Sequence, residues 1–142
     1  MYGIVKMLDI VELLKEKKLT ITPQRVEIIN LLSTNSHINV DELYALIHSI
    51  FPSISLATVY KNIKTMLESE ILSEVQMFNA KNVYELAKEE HSHIVCISCN
   101  EILELEIDLK KIYKKAELKS NYSLKSASLV FTGKCPRCLS SK

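Results

Sequence analysis

Residues 55–63, Ser-Leu-Ala-Thr-Val-Tyr-Lys-Asn-Ile, are the stretch that does most to decide the fold. Ser55 is a favourable N-cap, and the apolar side chains that follow recur at helical spacing at Val59, Ile63, Met66 and Leu67. The opposite face of this predicted helix carries small, aromatic and basic side chains, namely Ala57, Tyr60, Lys61 and Lys64. Such a face suits insertion into the major groove of DNA, but it is equally typical of a solvated helix surface.

Three more helices are predicted before this one. The first runs from about Ile4 to Lys17, with an apolar stripe formed by Met7, Val11 and Leu14. The second begins where Thr22 serves as N-cap and Pro23 as first helical residue, and its apolar positions are Ile28, Ile29 and Leu32. The third begins at Asn39, whose spacing to Glu42 resembles a capping box, and its apolar face is Leu43, Leu46, Ile47 and Ile50.

A β-hairpin is predicted directly after the four helices. Two β-type runs, Ile71–Phe78 and Val83–Leu86, flank the turn sequence Asn79-Ala80-Lys81-Asn82. Asparagine tolerates the left-handed backbone conformation that such a turn requires. Helices followed by a hairpin predict a winged helix.

The rest of the chain, from about Lys88, has a different pattern. Short strands are predicted at Ile94–Cys96 and Ile102–Leu105, a longer one at Ser123–Phe131, and a helix between them marked by Leu109, Ile112, Tyr113 and Ala116. A unit of fewer than about 60 residues rarely buries enough apolar surface to be stable alone, so it usually needs a metal ion or a partner chain.

All four cysteines fall into two Cys-x-x-Cys pairs, Cys96/Cys99 and Cys135/Cys138. Two residues between thiolates let both sulfurs occupy corners of one tetrahedron, and two such pairs close a structural zinc site without an open position. Two disulfides or a redox-active pair are the alternatives, and a reducing compartment disfavours the disulfides.

The sequence His91-Ser92-His93 lies just before the first cysteine pair. In an extended segment residues two apart point the same way, so both imidazoles could face one ion. Glutamates near this segment could add oxygen ligands, namely Glu85, Glu89, Glu90, Glu101 and Glu104. Mixed imidazole and carboxylate ligation favours Fe(II), Mn(II) or Zn(II). Taken alone, the His-x-His pattern is weak evidence for a metal site. The local sequence around His37 and His48 predicts that both are surface residues.

Composition excludes several classes of protein. The chain is 47% apolar with a net charge of +1, which excludes a disordered segment and argues against a bulk polyanion binder. No apolar run reaches the length of a membrane span, and the N-terminus resembles an amphipathic helix rather than a signal peptide, so we expect a cytoplasmic protein. Residues 1–80 hold seven Lys and Arg against nine Asp and Glu, so nonspecific attraction to DNA should be weak.

Together these features resemble the ferric uptake regulator family of bacterial metal-dependent repressors. The matching segments are ITPQR (21–25), DELY (41–44), SLATVYKNI (55–63), HSHIVCISCNEI (91–102) and GKCPRC (133–138). The resemblance implies an α+β protein with an N-terminal winged-helix DNA-binding domain (1–86), a hinge (87–92) and a small α/β dimerisation domain containing the four-cysteine zinc site (93–142). It also implies a homodimer on double-stranded DNA, at AT-rich inverted repeats.

The resemblance further implies a role for individual residues. Structural Zn(2+) would be held by Cys96, Cys99, Cys135 and Cys138. A regulatory Fe(2+) or Mn(2+) would be held by His37, Glu85, His91, His93 and Glu104. The residues expected to contact DNA are Arg25, Ser55, Ala57, Thr58, Tyr60, Lys61 and Lys64.

The sequence is compatible with several functions. The short histidine run and the absence of a last-strand histidine argue against a third metal site. The single regulatory site, the segment ISLATVYKN (54–62) and the two Cys-x-x-Cys pairs make the chain most similar to the peroxide-responsive branch, in which bound Fe(II) reacts with peroxide and a ligand histidine is oxidised. That branch commonly has aspartate where this chain has Glu85 and Glu104. An iron-responsive or zinc-responsive regulator is the alternative within the family. A zinc hydrolase using His91, His93 and Glu90, or a zinc-stabilised adaptor, is the alternative outside it, although we expect no enzyme.

Overall fold

The computed structural model describes residues 7–88 and 90–141. The starts predicted for the second, third and fourth helices are present with their caps, whereas the start predicted for the first helix, at about Ile4, lies outside the described residues. The first four helices are α1 (Met7–Glu16), α2 (Pro23–Thr34), α3 (Val40–Ile50) and α4 (Leu56–Glu68). Thr22 caps α2 and Ser55 caps α4, each through a side-chain oxygen that accepts from a backbone N–H three residues on. Asn39 and Glu42 form both hydrogen bonds of a capping box at the start of α3. The three predicted caps are therefore confirmed. They could be predicted from the sequence because each cap is formed by residues that are close together along the chain.

The helices pack their apolar faces into one core, with two differences from the sequence prediction. Met7 is 69% exposed, and Ile10 and Leu14 form the buried face of α1 instead. On α3 the buried side chains are Val40, Leu43 and Ile47, while Leu46 and Ile50, which were expected inside, lie at the exposed margin. Helical periodicity gives the direction of the apolar face, but the neighbouring elements decide how wide a strip of it they cover.

A three-stranded antiparallel sheet completes this part of the chain. It contains β1 (Ile38–Asn39), β2 (Leu72–Val75) and β3 (Val83–Leu86) in the order β1-β3-β2. The predicted hairpin of β2 and β3 is confirmed, with a shorter first strand than expected, and Asn79 in its turn has a φ of 55°. Strand β1 was not predicted, because a two-residue strand has no periodicity to detect. It pairs Ile38 with Tyr84.

The later elements form a second small sheet. Strands β4 (Ser92–Cys96), β5 (Ile102–Leu105) and β6 (Val130–Gly133) lie in the order β5-β4-β6, with β5 antiparallel and β6 parallel to β4. The two helices are α5 (Lys110–Ser120) and α6 (Pro136–Ser140), and α6 was not predicted. The strand predicted at Ser123–Phe131 is wrong over most of its length, since regular pairing covers only Val130–Gly133. Leu124 N instead donates to the Glu117 carboxylate at 2.9 Å, which ties this segment to α5.

The chain divides into two units, and the apolar core is unevenly shared between them. Among the described residues, the first unit contains residues 7–76 and 81–88, and the second contains residues 77–80 and 90–141. The main cluster of buried apolar residues lies wholly in the first unit. Among the described residues of the second unit, the buried apolar side chains are Val95, Cys96 and Leu109. The predicted limits at 1–86, 87–92 and 93–142 remain predictions.

The α+β fold class, with a helical first unit that ends in a hairpin and a small α/β second unit containing four clustered cysteines, is confirmed. Among the described residues we find no helix with both the length and the apolar character needed to cross a membrane.

Candidate metal sites and DNA-facing helix

The four cysteine sulfurs lie within 4.8 Å of one another in the second unit. Cys96 ends β4, and Asn100, in the left-handed conformation, turns the chain back so that its N–H donates to Cys96 O at 2.9 Å. Cys135 caps α6, and this short helix turns Cys138 to the same side. Each Cys-x-x-Cys pair therefore forms a tight turn that directs both sulfurs inward.

The spacing of these sulfurs fits tetrahedral zinc. The Sγ atoms of Cys99 and Cys135 are 3.8 Å apart. Two sulfurs bound to one zinc ion at about 2.3 Å in a tetrahedron lie about 3.8 Å from each other. The same distance is far longer than the ~2.05 Å of a disulfide bond, and all four cysteines are free thiols. The site suits structural zinc, as expected from the sequence.

Hydrogen bonding inside the cluster gives the thiols different acidities. The backbone N–H of Cys135 donates to Cys96 Sγ at 3.3 Å, and this bond, with a second from the N–H of Cys99, lowers the pKa of Cys96 to about 6. The hydrogen bond to the neighbouring sulfur of Cys135 raises the pKa of Cys138 to about 12. These hydrogen bonds therefore favour the thiolate form at Cys96 and the protonated form at Cys138. Zinc binding must displace the proton from Cys138, because only thiolates ligate the ion.

In the first unit, the pairing of β1 with β3 brings His37 to Glu85. His37 directly precedes β1, and its Nε2 lies 2.7 Å from Oε2 of Glu85 on β3. Glu85 is buried, so its carboxylate is removed from bulk water and held against the imidazole. The two residues are 48 positions apart in sequence, and the unpredicted strand β1 is the element that places them together.

In the second unit, His91 and His93 lie side by side as their spacing predicts. Their Nε2 atoms are 3.0 Å apart, and the two rings meet edge to face with centroids 4.5 Å apart. Two nitrogens bound at about 2.1 Å to one ion, at a right angle, would have this separation. Glu104 on β5 is the direct register partner of His93, so an oxygen ligand is available on the adjacent strand.

Not all of the candidate ligands named from the sequence join these groups. Glu101 has its carboxylate 3.7 Å from the guanidinium of Arg137. Glu89 lies outside the described residues. His48 packs against the ring of Tyr44, with the ring centroids 5.4 Å apart.

The face of α4 predicted to meet DNA is exposed. The residues expected to contact DNA from this helix and its cap all lie on the surface, namely Ser55, Ala57, Thr58, Tyr60, Lys61 and Lys64. Tyr60 is 47% exposed, and Ser55 and Thr58 share a hydroxyl–hydroxyl hydrogen bond at 2.9 Å. Arg25 does not project freely, because its Nε donates to Asn62 on α4 at 3.1 Å. Asn62, the partner of Arg25, was not among the residues named from the sequence, although an asparagine within a helix is a signal that could have identified it.

Comparison with known proteins agrees with this arrangement of helices, sheets and clustered ligands. A model of the ferric uptake regulator family matches residues 16–132. The ferric uptake regulation protein of Synechococcus elongatus is 33% identical over 131 residues, which cover 88% of this chain and 89% of the relative.

Two solved structures have the same architecture. The crystal structure of the Campylobacter jejuni peroxide stress regulator has 35% identity and a TM-score of 0.71, covering 90% of this chain and 98% of that one. The Vibrio cholerae ferric uptake regulator, whose DNA-binding domains are rearranged in its crystal structure, has 31% identity and a TM-score of 0.68, covering 87% of this chain and 98% of that one. With the family model spanning both units and these relatives covering nearly the whole chain, the protein belongs to the ferric uptake regulator family of metal-responsive, DNA-binding transcription regulators.

Proposed function

We propose that this protein is a homodimeric transcriptional repressor that requires Fe(II) or Mn(II) to bind DNA and that senses peroxide. The regulatory ion would be held by His37, Glu85, His91, His93 and Glu104, and the four cysteines would hold structural zinc. The observation that carries the proposal is that each unit brings together its own part of this ligand set. His37 meets Glu85 in the first unit, and His91 meets His93 in the second.

A ligand set divided in this way supplies a physical mechanism for regulation. An ion bound by residues of both units stabilises only those arrangements of the protein in which the two parts of the set can reach it. Metal binding would therefore shift the population of conformations toward one arrangement of the DNA-binding units. In a dimer this arrangement would place the two copies of α4 about one turn of DNA, roughly 34 Å, apart.

The exposed face of α4 supports the assignment of this helix as the one that reads DNA. Tyr60 would lie against bases in the major groove, Lys61 and Arg25 would contact phosphates or base edges, and the remaining expected contacts are Ser55, Ala57, Thr58 and Lys64. Residues 1–80 carry nine acidic and seven basic side chains, so general attraction to phosphate is weak. Affinity should then depend on the geometry that metal imposes, at an AT-rich inverted repeat.

The second unit offers a surface suited to self-association. Large apolar side chains are exposed on it, namely Ile97, Leu103, Ile112, Leu118, Tyr122, Phe131 and Leu139. A small unit with so much exposed apolar surface gains stability when a second copy covers part of it. This supports a dimer formed through the second unit.

The nature of the donors supports iron or manganese rather than zinc as the regulatory ion. The proposed ligands are imidazoles and carboxylates, whereas all four thiols gather at the other site. When Fe(II) is bound, its reaction with peroxide would oxidise a ligand histidine and end DNA binding. An iron-responsive regulator without peroxide sensing and a zinc-responsive regulator are the competing functions within the family.

Peroxide sensing is tested by peptide mass spectrometry. Protein loaded with Fe(II) without oxygen and then treated briefly with stoichiometric peroxide should gain one oxygen atom on His37 or His91. Protein loaded with Mn(II) is the matched control and should remain unmodified, because Mn(II) does not carry out this chemistry under the same conditions. Unmodified histidines in protein that demonstrably contains iron would contradict peroxide sensing and favour a reversible sensor of metal supply.

DNA reading by α4 is tested with Tyr60→Ala. We expect roughly hundredfold weaker operator binding, because each half-site loses a base contact worth about 1–3 kcal/mol. Zinc content and dimerisation should not change, since Tyr60 is 47% exposed and lies outside the buried stripe of α4. Tyr60→Phe separates the contribution of the ring from that of the hydroxyl. Wild-type operator affinity in Tyr60→Ala would instead support a zinc-stabilised adaptor.

A further inference from the structure

The side chains of Arg25 and Asn62 form a link between α2 and α4. Arg25 Nε donates to Asn62 Oδ1 at 3.1 Å, and Arg25 Nη1 donates to the backbone oxygen of Thr20 at 2.8 Å. Asn62 Nδ2 in turn donates to the backbone oxygen of Thr58 at 3.1 Å. The guanidinium is therefore fixed by the segment before α2, and the amide is fixed by α4 itself.

Neither residue is explained by the local structure in which it lies. Asparagine within a helix is unfavourable, because its side chain competes for backbone hydrogen bonds. Arginine at the start of a helix places its positive charge near the positive end of the helix dipole. Both side chains are half-buried, and their common feature is the contact across 37 residues of sequence.

The hydrogen bond between Arg25 and Asn62 lies where a small change in the orientation of α4 would move the side chains expected to contact DNA. Asn62 directly follows Tyr60 and Lys61, and it borders the buried stripe of Val59, Ile63 and Met66. Packing of this buried stripe holds α4 on the core, and the Arg25–Asn62 hydrogen bond adds a directed constraint on the same helix. A binding residue has to be held to within about 0.5 Å of its productive position.

We propose that Arg25 and Asn62 are a positioning pair that fixes the orientation of α4 relative to α2, and thereby determines how well the protein distinguishes its operator from other DNA. The inference rests on the proposed DNA-binding function and adds Asn62 to the residues that serve it. It also changes the main role of Arg25, two of whose N–H groups are engaged within the protein, from contacting DNA to holding the reading helix.

A double-mutant cycle tests the pair on DNA. The probes are a duplex selected from a random pool by the Mn(II)-loaded wild-type protein and a scrambled duplex of equal length. Asn62→Ala and Arg25→Ala should each reduce the preference for the selected duplex about tenfold, since a hydrogen bond from a charged donor is worth about that much. The double variant should also lose about tenfold, because the two changes remove one interaction. A hundredfold loss, as expected for independent contacts, would overturn the proposal.

Arg25→Gln distinguishes positioning from phosphate contact. The glutamine Nε2 is attached to Cδ just as the arginine Nε is, so it can donate to Asn62 Oδ1 without carrying a charge. We expect this variant to keep most of the operator preference and an unchanged dependence of affinity on salt. A loss as large as that of Arg25→Ala, with the salt slope reduced by about 0.9 for each phosphate contact removed, would assign Arg25 to the DNA backbone and refute the positioning role.

A measurement without DNA keeps the test independent of the proposed function. Residual dipolar couplings of the metal-loaded protein report the angle between α2 and α4, which should change in Asn62→Ala. The matched control is Asn30→Ala, because Asn30 lies on α2 and its side chain donates to Glu27 Oε1 of the same helix at 3.3 Å. If the wild-type protein does not prefer the selected duplex to the scrambled one, the proposed DNA-binding function is wrong. The angle between α2 and α4 would still show whether Arg25 and Asn62 fix the orientation of α4. An unchanged angle in Asn62→Ala would overturn the positioning role.

Discussion

We expect Cys96→Ser to lose zinc and to leave the second unit unfolded, while the first unit keeps its helices. Among the described residues of the second unit the buried apolar side chains are Val95, Cys96 and Leu109, which is too small a core to stabilise about 50 residues. Zinc binding to four thiolates contributes on the order of 10 kcal/mol to folding. Cys96 is the sulfur that its backbone hydrogen bonds prepare as a thiolate, and serine cannot replace it.

The experiment combines zinc analysis with hydrogen exchange. Amide protection in residues 90–141 should fall to that of an unfolded chain in Cys96→Ser, whereas α2, α3 and α4 should remain protected. Ser98→Ala is the control, because Ser98 lies between the two cysteines of the same turn, is exposed and has no proposed role as a ligand. Full protection of β4 in a zinc-free Cys96→Ser protein would show that the second unit does not depend on the metal.

The second large effect is expected for His37→Ala. His37 would be the one imidazole that the first unit gives to the regulatory ion, and its loss leaves Glu85 as the proposed ligand from that unit. Metal could still bind to the second unit, but its affinity would no longer depend on the orientation of the DNA-binding unit. The stimulation of operator binding by Mn(II) should therefore fall by roughly hundredfold, which corresponds to about 2.7 kcal/mol and lies in the upper part of the 1–3 kcal/mol typical of coupling between two sites.

His48→Ala provides the matched control for His37→Ala. Both histidines belong to the first unit, but His48 packs on Tyr44 and is not among the proposed ligands. Operator affinity measured with and without Mn(II) should show normal stimulation in His48→Ala and almost none in His37→Ala, with zinc content equal in both. Equal stimulation in the two variants would remove His37 from the regulatory site.

Features that depend on neighbouring residues were predictable from the sequence. The caps at Thr22, Asn39 and Ser55, the starts of α2, α3 and α4, and the left-handed turn at Asn79 are each confirmed. Each of them is set by interactions within three or four positions along the chain. The same holds for the inward turn of each cysteine pair and for the alignment of His91 with His93.

The tertiary structure alone decided which distant residues meet. The local sequence named Glu85 as one of five glutamates that could add an oxygen ligand, and only the resemblance grouped it with His37. It reaches His37 because the two-residue strand β1, which has no detectable periodicity, pairs with β3. Strand β6 is confined to Val130–Gly133 because pairing with β4, rather than the alternation of side chains, determines its length. Arg25 and Asn62, 37 positions apart, meet because the fold of the first unit brings the start of α2 within hydrogen-bonding distance of α4. In each case the decisive interaction joins residues tens of positions apart, and packing of the whole unit sets its geometry.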